Sequence, residues 1–188
     1  MTNIFAAWRS GRTVRKHTMH VQRRENTAEH TWGASLLLAK YFPAARKEVH
    51  VFVTLHDVGE SGVCDVPLHV FDAVPELREV IQKREAAHIV SLMHGPFDLS
   101  LDDLGLTHDE LLLVEIVDRA VFVLSCLYDY EMGNRLVLRP LFHGLAKAFS
   151  ATAKIEDYAL RALADNLCDD LASVTKGANE LYMEILND

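Results

Sequence analysis

The chain has 188 residues, with 19 lysines and arginines against 27 aspartates and glutamates, a formal net charge of −8 at pH 7. At roughly 150 residues per domain, that length suits one compact unit and excludes a tandem array. With 49% hydrophobic and 24% charged residues the composition is that of an ordinary globular protein, and the acidic balance argues against a basic surface for duplex nucleic acid or an anionic membrane. Any phosphate must be met locally, by a few cations or a metal.

Cys64, Cys126 and Cys168 are odd in number and widely spaced, with no C-x-x-C pair, and read as reduced thiols. The N-terminal stretch lacks the apolar run of a signal peptide, and unbroken apolar runs such as Leu111 to Val114 fall far short of a membrane span. A cytoplasmic protein is the expectation.

Glycine and proline are scarce, at 9 and 5, and apolar residues recur at helical spacing, which predicts an all-α fold. A short helix covers Asn3 to Arg9, and Arg12 to Glu25 reads as a basic, irregular connection. Asn26 or Thr27 caps a helix that passes through Trp32 and Leu38 to Tyr41 and ends at Pro43. The next helix runs from Arg46 to Val58, and Gly59 to Val74 reads as a loop. Pro75 suits the first turn of a helix that Gly95-Pro96 stops after His94. Thr107-x-x-Glu110 is a capping-box pattern opening a long helix to Met132, with Gly133-Asn134 at its end. Two further helices follow, over Leu136 to Phe149 and Glu156 to Ile185, the second broken near Lys176-Gly177. The whole chain, 1–188, is thus expected to be one domain, its motifs lying within about 12–135 and plain helices filling 136–188.

Ionisable residues fall where this pattern demands apolar ones, and an unpaired buried charge is costly. His56 follows Val49 and Phe52 on one stripe, with Asp57 beside it. Asp118 interrupts the face of Leu111, Val114, Val121 and Ser125, and His30 lines up with Ala34, Leu37 and Tyr41. Singly, each could be a satisfied core residue, Asp118 for instance bonding Arg119. Together, two imidazoles and two carboxylates from three helices make a donor set suited to a divalent transition metal. Glu60, one turn after His56, and Asp65 could handle protons beside such an ion. Arg12, Arg15, Lys16, Arg23 and Arg24 form the one strong basic cluster, either a solvated connection or a phosphate-binding wall.

His30, His56-Asp57 and Asp118 resemble the H…HD…D signature of the HD-domain metal-dependent phosphohydrolases. The similarity is closer to the branch of bacterial 5′-deoxynucleotidases and phage dATP triphosphohydrolases. There an arginine precedes the first histidine by fifteen positions, as Arg15 does here. Glu25-Asn26-Thr27-Ala28-Glu29-His30 is similar to that branch's E-N-V-x-E-H motif, and His56 to Glu60 followed by Cys64-Asp65-Val66-Pro67 resembles H-D-x-x-E…G-D-x-P. Gly133-Asn134 recurs at the matching distance after Asp118.

The resemblance implies an HD-type helical bundle in which His30, His56, Asp57 and Asp118 hold one divalent ion (Mn, Co, Zn or Mg). It also implies that Arg15 contacts the substrate's phosphate or sugar, Glu60 transfers protons, and Asp65 orients water or leaving group. Lys16, Thr18 and His69 complete the expected substrate-binding set. The expected partner is a small nucleotide, with hydrolysis of a deoxynucleoside triphosphate such as dATP favoured and that of a 5′-monophosphate the alternative. The favoured reading rests on the stretch Arg15 to Thr18, which looks more like the phage proteins. A homo-oligomer is also expected. The competing classes are a non-enzymatic nucleotide-binding HD module and a two-metal centre recruiting His88 and His94.

Three positions depart from the family pattern. Lys16 stands where a tryptophan often follows the arginine, which predicts weaker exclusion of ribonucleotides. Phe71 and Glu115 stand where phosphate-binding lysines are common.

Overall fold

In a computed structural model, which describes residues 4–16, 19–66, 68–93 and 101–187, all regular structure among those residues is helical apart from one isolated antiparallel bridge between Val14 and Asn26. Nine α-helices are described: α1 Ile4–Ser10, α2 Thr27–Tyr41, α3 Lys47–Leu55, α4 Leu68–Ala73, α5 Pro75–Met93, α6 His108–Glu131, α7 Leu138–Thr152, α8 Tyr158–Val174 and α9 Lys176–Asn187.

Local chemistry sets the ends of the two helices that matter most. The Asn26 side chain accepts from the Glu29 amide at the start of α2, and the Glu29 carboxylate accepts from the Asn26 amide. Thr107 and Glu110 repeat this reciprocal cap at the start of α6. Each pair satisfies backbone donors that the first helical turn leaves without partners, worth roughly 1 kcal/mol per cap. Glu110 also takes a two-pronged bond from Arg46, with Nε and Nη2 each 2.7 Å from a carboxylate oxygen, which fixes the entry to α3 against α6. At the other end of α6, Gly133 adopts a φ of 94° and lets the chain turn away.

α6 is the central element. Leu113, Ile116, Val117, Ala120 and Val123 on it are fully buried, together with Leu38 of α2, Val49 and Val53 of α3, Leu141 of α7 and Leu167 of α8. Burying each large aliphatic side chain stabilises the fold by about 1.5–3 kcal/mol before entropy is counted. Gly144 lets α7 approach closely, since a Cβ there would lie 2.9 Å from Phe122 Cδ1. α7 and α8 thus pack on α6 beside α2 and α3, with α8 also touching α2.

Two segments differ from the sequence expectation. The α3 helix stops at Leu55 with His56 as its C-cap rather than running to Val58, and Gly59 to Val74 is not simply loop: Val58–Gly62 is a 3-10 helix and Leu68–Ala73 is α4. Both pieces are too short to show a period in sequence. The basic connection before α2 is also tied down. Arg15 N donates to Glu25 O at 2.9 Å and Thr27 N to Thr13 O at 2.9 Å, flanking the Val14–Asn26 bridge. Buried Asp129 accepts from the amides of Gln22 and Arg23, and Asn134 Nδ2 donates to His20 O and to Asp129. The strand-like segment carrying Arg15 and Lys16 is therefore pinned from both sides.

Candidate metal centre

His30 comes from the first turn of α2, His56 and Asp57 from the end of α3, and Asp118 from the middle of α6. Their donor atoms all lie within 4.8 Å of one another. His30 Nε2 is 2.8 Å from Asp118 Oδ1 and 3.5 Å from Asp57 Oδ2. His56 Nε2 is 3.2 Å from Asp57 Oδ2 and 3.9 Å from Asp118 Oδ1.

The donor set fits a divalent ion by its chemistry. His56 Nδ1 lies 2.7 Å from the Val53 carbonyl, which only accepts, so Nδ1 carries the hydrogen and Nε2 is left for the centre. That Nε2 is buried and has no hydrogen-bond partner, a cost that a metal bond would remove. Ending α3 at Leu55 is what makes this orientation available, because His56 sits just beyond the last full turn.

Without an ion the cluster is a mutually charged pair of acids and bases. Burial pulls His56 down, but Asp57 and Asp118 outweigh it and raise the imidazole to about 10. Burial pulls His30 down, but its hydrogen bond to Asp118 and the nearby Glu25 carboxylate outweigh it and raise the imidazole. Burial would raise Asp57, yet His56 and Arg15 hold it down to about 2, and Asp118 is held well below its usual range by His30 and His56.

Arg15, 42 positions before Asp57, reaches the cluster with its guanidinium. Its Nη1 pairs with Asp57 Oδ2 and lies 3.1 Å from Glu60 Oε1. Glu60, carried by the 3-10 helix, is buried, and its second oxygen is 3.4 Å from Thr27 Oγ1. Burial pushes its carboxyl up to about 8, with Asp57, Asp65 and Glu85 adding to the shift and Arg15 opposing it. Asp65 accepts from the Lys16 amide at 2.8 Å, which draws the loop after Glu60 against the Arg15 segment.

Lys16 is placed differently from a free phosphate contact. It has a φ of 56°, rare for a side chain with a Cβ, and turns inward: its ammonium bonds Ser125 Oγ, lies 3.1 Å from Glu25 Oε2 and sits 5.1 Å from the centre of the Phe122 ring. The lysine side chain is only 6% exposed. Thr18 and the side chain of His69 lie outside the described residues. Phe71 carries the Arg78 guanidinium over its ring at 4.9 Å. His88, considered as an extra ligand, bonds Ser61 Oγ at 2.9 Å instead, while His94 lies outside the described residues.

Glu85 was not legible as a site residue. It lies on α5, a helix whose apolar residues are spread around it, and its backbone and Cβ pack directly on Gly59 beside Glu60. Burial, then Asp57 and Asp65, push its carboxyl up to about 7. A glycine immediately before a functional acid was the one signal in the sequence for a close neighbour.

Residues 9–104 match the family model described as HD domain, just over half of the chain. The chain belongs to the HD-domain family of metal-dependent phosphohydrolases. The matched span holds His30, His56 and Asp57, while Asp118 lies beyond it and is supplied by the fold. Among solved structures, the HD phosphohydrolase DatZ of cyanophage S-2L, bound to dA and one catalytic Zn2+ ion, is similar with a TM-score of 0.66 and 16% identity, over 94% of this chain and 98% of that one. At this identity the likeness establishes the shared all-α fold. Comparison with curated protein sequences finds no match. No helix among the described residues is long and apolar enough to cross a membrane.

Proposed function

We propose that this HD-domain protein hydrolyses a phosphate bond of a small nucleotide, with a deoxynucleoside triphosphate such as dATP as the favoured substrate and deoxynucleoside plus triphosphate as products. The observation that carries the reading is the convergence of His30, His56, Asp57 and Asp118 within 4.8 Å beside a cation and an acid, Arg15 and Glu60, that a purely structural metal site would not need. The dA bound to DatZ supports a nucleoside as the recognised group.

The four ligands would hold the ion, and when bound it supplies an acidified water and Lewis-acid neutralisation of phosphate oxygen. Arg15 is placed to share its guanidinium between Asp57 and an incoming phosphate oxygen. Glu60, whose carboxyl burial pushes up to about 8 before any ion is bound, would give a proton to the leaving oxygen as the phosphorus–oxygen bond breaks. Asp65, anchored by the Lys16 amide, lies close enough to Glu60 to raise its carboxyl and would orient the attacking water or the leaving group.

A second reading, a 5′-deoxynucleotidase that releases inorganic phosphate from a monophosphate, is favoured by one observation: the Lys16 ammonium is engaged with Glu25 and Ser125, and Phe71 and Glu115 offer no cation for a long polyphosphate. The test is a panel of ribo- and deoxynucleoside mono-, di- and triphosphates with Mn2+, Co2+, Zn2+ and Mg2+, products separated by chromatography. Release of triphosphate supports the first reading and release of phosphate from monophosphates alone the second, while no turnover on any member overturns both. A homo-oligomer in the cytoplasm belongs to the same proposal; light scattering against the 21.2 kDa of one chain tests the assembly.

A further inference from the structure

Three side chains make a line from the interior to the metal centre. Lys16 Nζ is 3.1 Å from Glu25 Oε2, and that same oxygen is 3.6 Å from His30 Nδ1. Their side chains are 6%, 11% and 1% exposed. The other ring nitrogen of His30, Nε2, faces Asp118 and Asp57.

The two atoms in the middle of the line are both buried and without a hydrogen-bond partner, Glu25 Oε2 having only its ion pair with Lys16 and His30 Nδ1 nothing nearer than that carboxylate. Orphaned donors and acceptors are costly inside a protein, and these two face each other. A shift of about half an ångström makes the pair a hydrogen bond of ordinary length, with Nδ1–H donating. That bond fixes the tautomer in which Nε2 carries the lone pair toward the ion, the arrangement by which a carboxylate behind a histidine strengthens a metal site.

The carboxylate in turn needs a cation, because a lone buried charge would be expensive. Lys16 supplies it, and the left-handed backbone at φ 56° is what turns the ammonium inward instead of toward the substrate. Ser125 on α6 and the Phe122 ring complete its seat, so the clamp ties the Arg15 segment, α2 and α6 together at the centre.

We propose that Lys16 and Glu25 are positioning residues that set metal affinity: Lys16 holds Glu25, and Glu25 holds His30 in the tautomer that binds the ion. This rests on the metal-site reading above. Lys16 then acts behind the centre and not on the nucleotide.

The test measures metal affinity of the full chain by chelator competition with Mn2+ and Zn2+, alongside KM and kcat on whichever nucleotide the wild type turns over. Glu25→Ala is expected to weaken metal binding roughly 10- to 100-fold, and Lys16→Met to weaken it in the same range with KM unchanged at saturating metal. The double variant Lys16→Met/Glu25→Gln should recover much of the affinity lost in Lys16→Met, because the amide oxygen still accepts from His30 Nδ1–H and no longer needs a cation. Circular dichroism confirms that each variant is folded, and if Lys16→Met fails to fold, Glu25→Gln against Glu25→Ala gives the same comparison: the amide should retain affinity that the methyl group loses. Wild-type metal affinity in Lys16→Met with a raised KM would overturn the proposal and make Lys16 a substrate contact. A double variant no tighter than Lys16→Met would also overturn it. A wild type that binds neither ion would instead sink the metal-site reading itself.

Discussion

His30 and Asp118, 88 positions apart, meet at 2.8 Å between Nε2 and Oδ1. The contact joins the first turn of α2 to the middle of α6, and it is these two helices, each started by a reciprocal cap, that set the register on which the centre depends. Removing either side chain therefore leaves an incomplete ligand set on an intact scaffold. Asp118→Ala and His56→Ala are expected to lose bound metal and turnover together, with the far-ultraviolet circular dichroism unchanged. Metal content by atomic emission, measured beside activity, checks this, and full activity in a metal-free Asp118→Ala protein would refute the metal centre.

Much of this was legible in the sequence. The Thr107–Glu110 capping box, the cap at the start of α2, the Pro75 start of α5 and the break before α9 follow from local chemistry that needs no tertiary partner. Of the four candidate ligands, His30, His56 and Asp118 stood out as ionisable groups on apolar stripes, with Asp57 beside His56. What the pattern could not carry was the short-range geometry. The 3-10 helix bearing Glu60 and the six-residue α4 are shorter than the windows over which periodicity is defined. The inward turn of Lys16 depends on a positive φ at a residue type that gives no warning of it. Glu85 lies on a helix whose apolar residues do not gather on one face, so only its packing on Gly59 reveals it.

Metal uptake should release protons. Without the ion, His56 is raised to about 10, so its imidazole is charged at pH 7, whereas a metal binds the neutral ring; His30 is shifted in the same direction. Titration calorimetry in two buffers of different ionisation enthalpy is expected to show release of at least about one proton per ion at pH 7. Metal affinity should fall as pH is lowered. Zero proton release would show that the histidines do not enter the coordination shell.

The metal-free protein should show the opposite pH trend in stability. Glu60 and Glu85 are raised from the ordinary 4.5 to about 8 and about 7, so the folded state holds protons that the unfolded chain has given up. The stability they contribute is complete below about pH 4.5 and is lost as pH rises through 7 and 8. His56 acts in the same direction between about 6.5 and 10. In the presence of a chelator, Tm should decline from pH 5 to pH 8, and Glu60→Gln or Glu85→Gln should flatten that decline. A Tm that climbs across this range in chelator would contradict the burial of both acids.

Glu60 is the residue whose removal should separate binding from chemistry. It touches Arg15 and Thr27 but none of the ligating atoms among its hydrogen bonds. Glu60→Ala is expected to retain the metal and the fold while lowering kcat by roughly 10²–10⁴, the usual scale for proton transfer by a positioned side chain. Loss of the metal along with the rate would place Glu60 among the ligands.

The final prediction concerns Gly59, which spaces Glu60 from α5. A Cβ at this position would lie 2.7 Å from Glu85 Cβ, 2.8 Å from the Glu85 carbonyl oxygen and 2.9 Å from its Cα. These are backbone and near-backbone atoms of a helix, so a rotamer change cannot relieve the clash; either α5 or the 3-10 helix must move. Overpacking of this kind costs about 1–3 kcal/mol. Movement of the 3-10 helix would carry Glu60 away from Arg15. Gly59→Ala is therefore expected to lower stability by about that amount in denaturant titration and to reduce kcat. Gly177→Ala, where a Cβ meets nothing within 4 Å, is the matched control and should leave kcat unchanged. Equal kcat for Gly59→Ala and the control would show that the close packing of α5 on Gly59 does not govern where Glu60 sits.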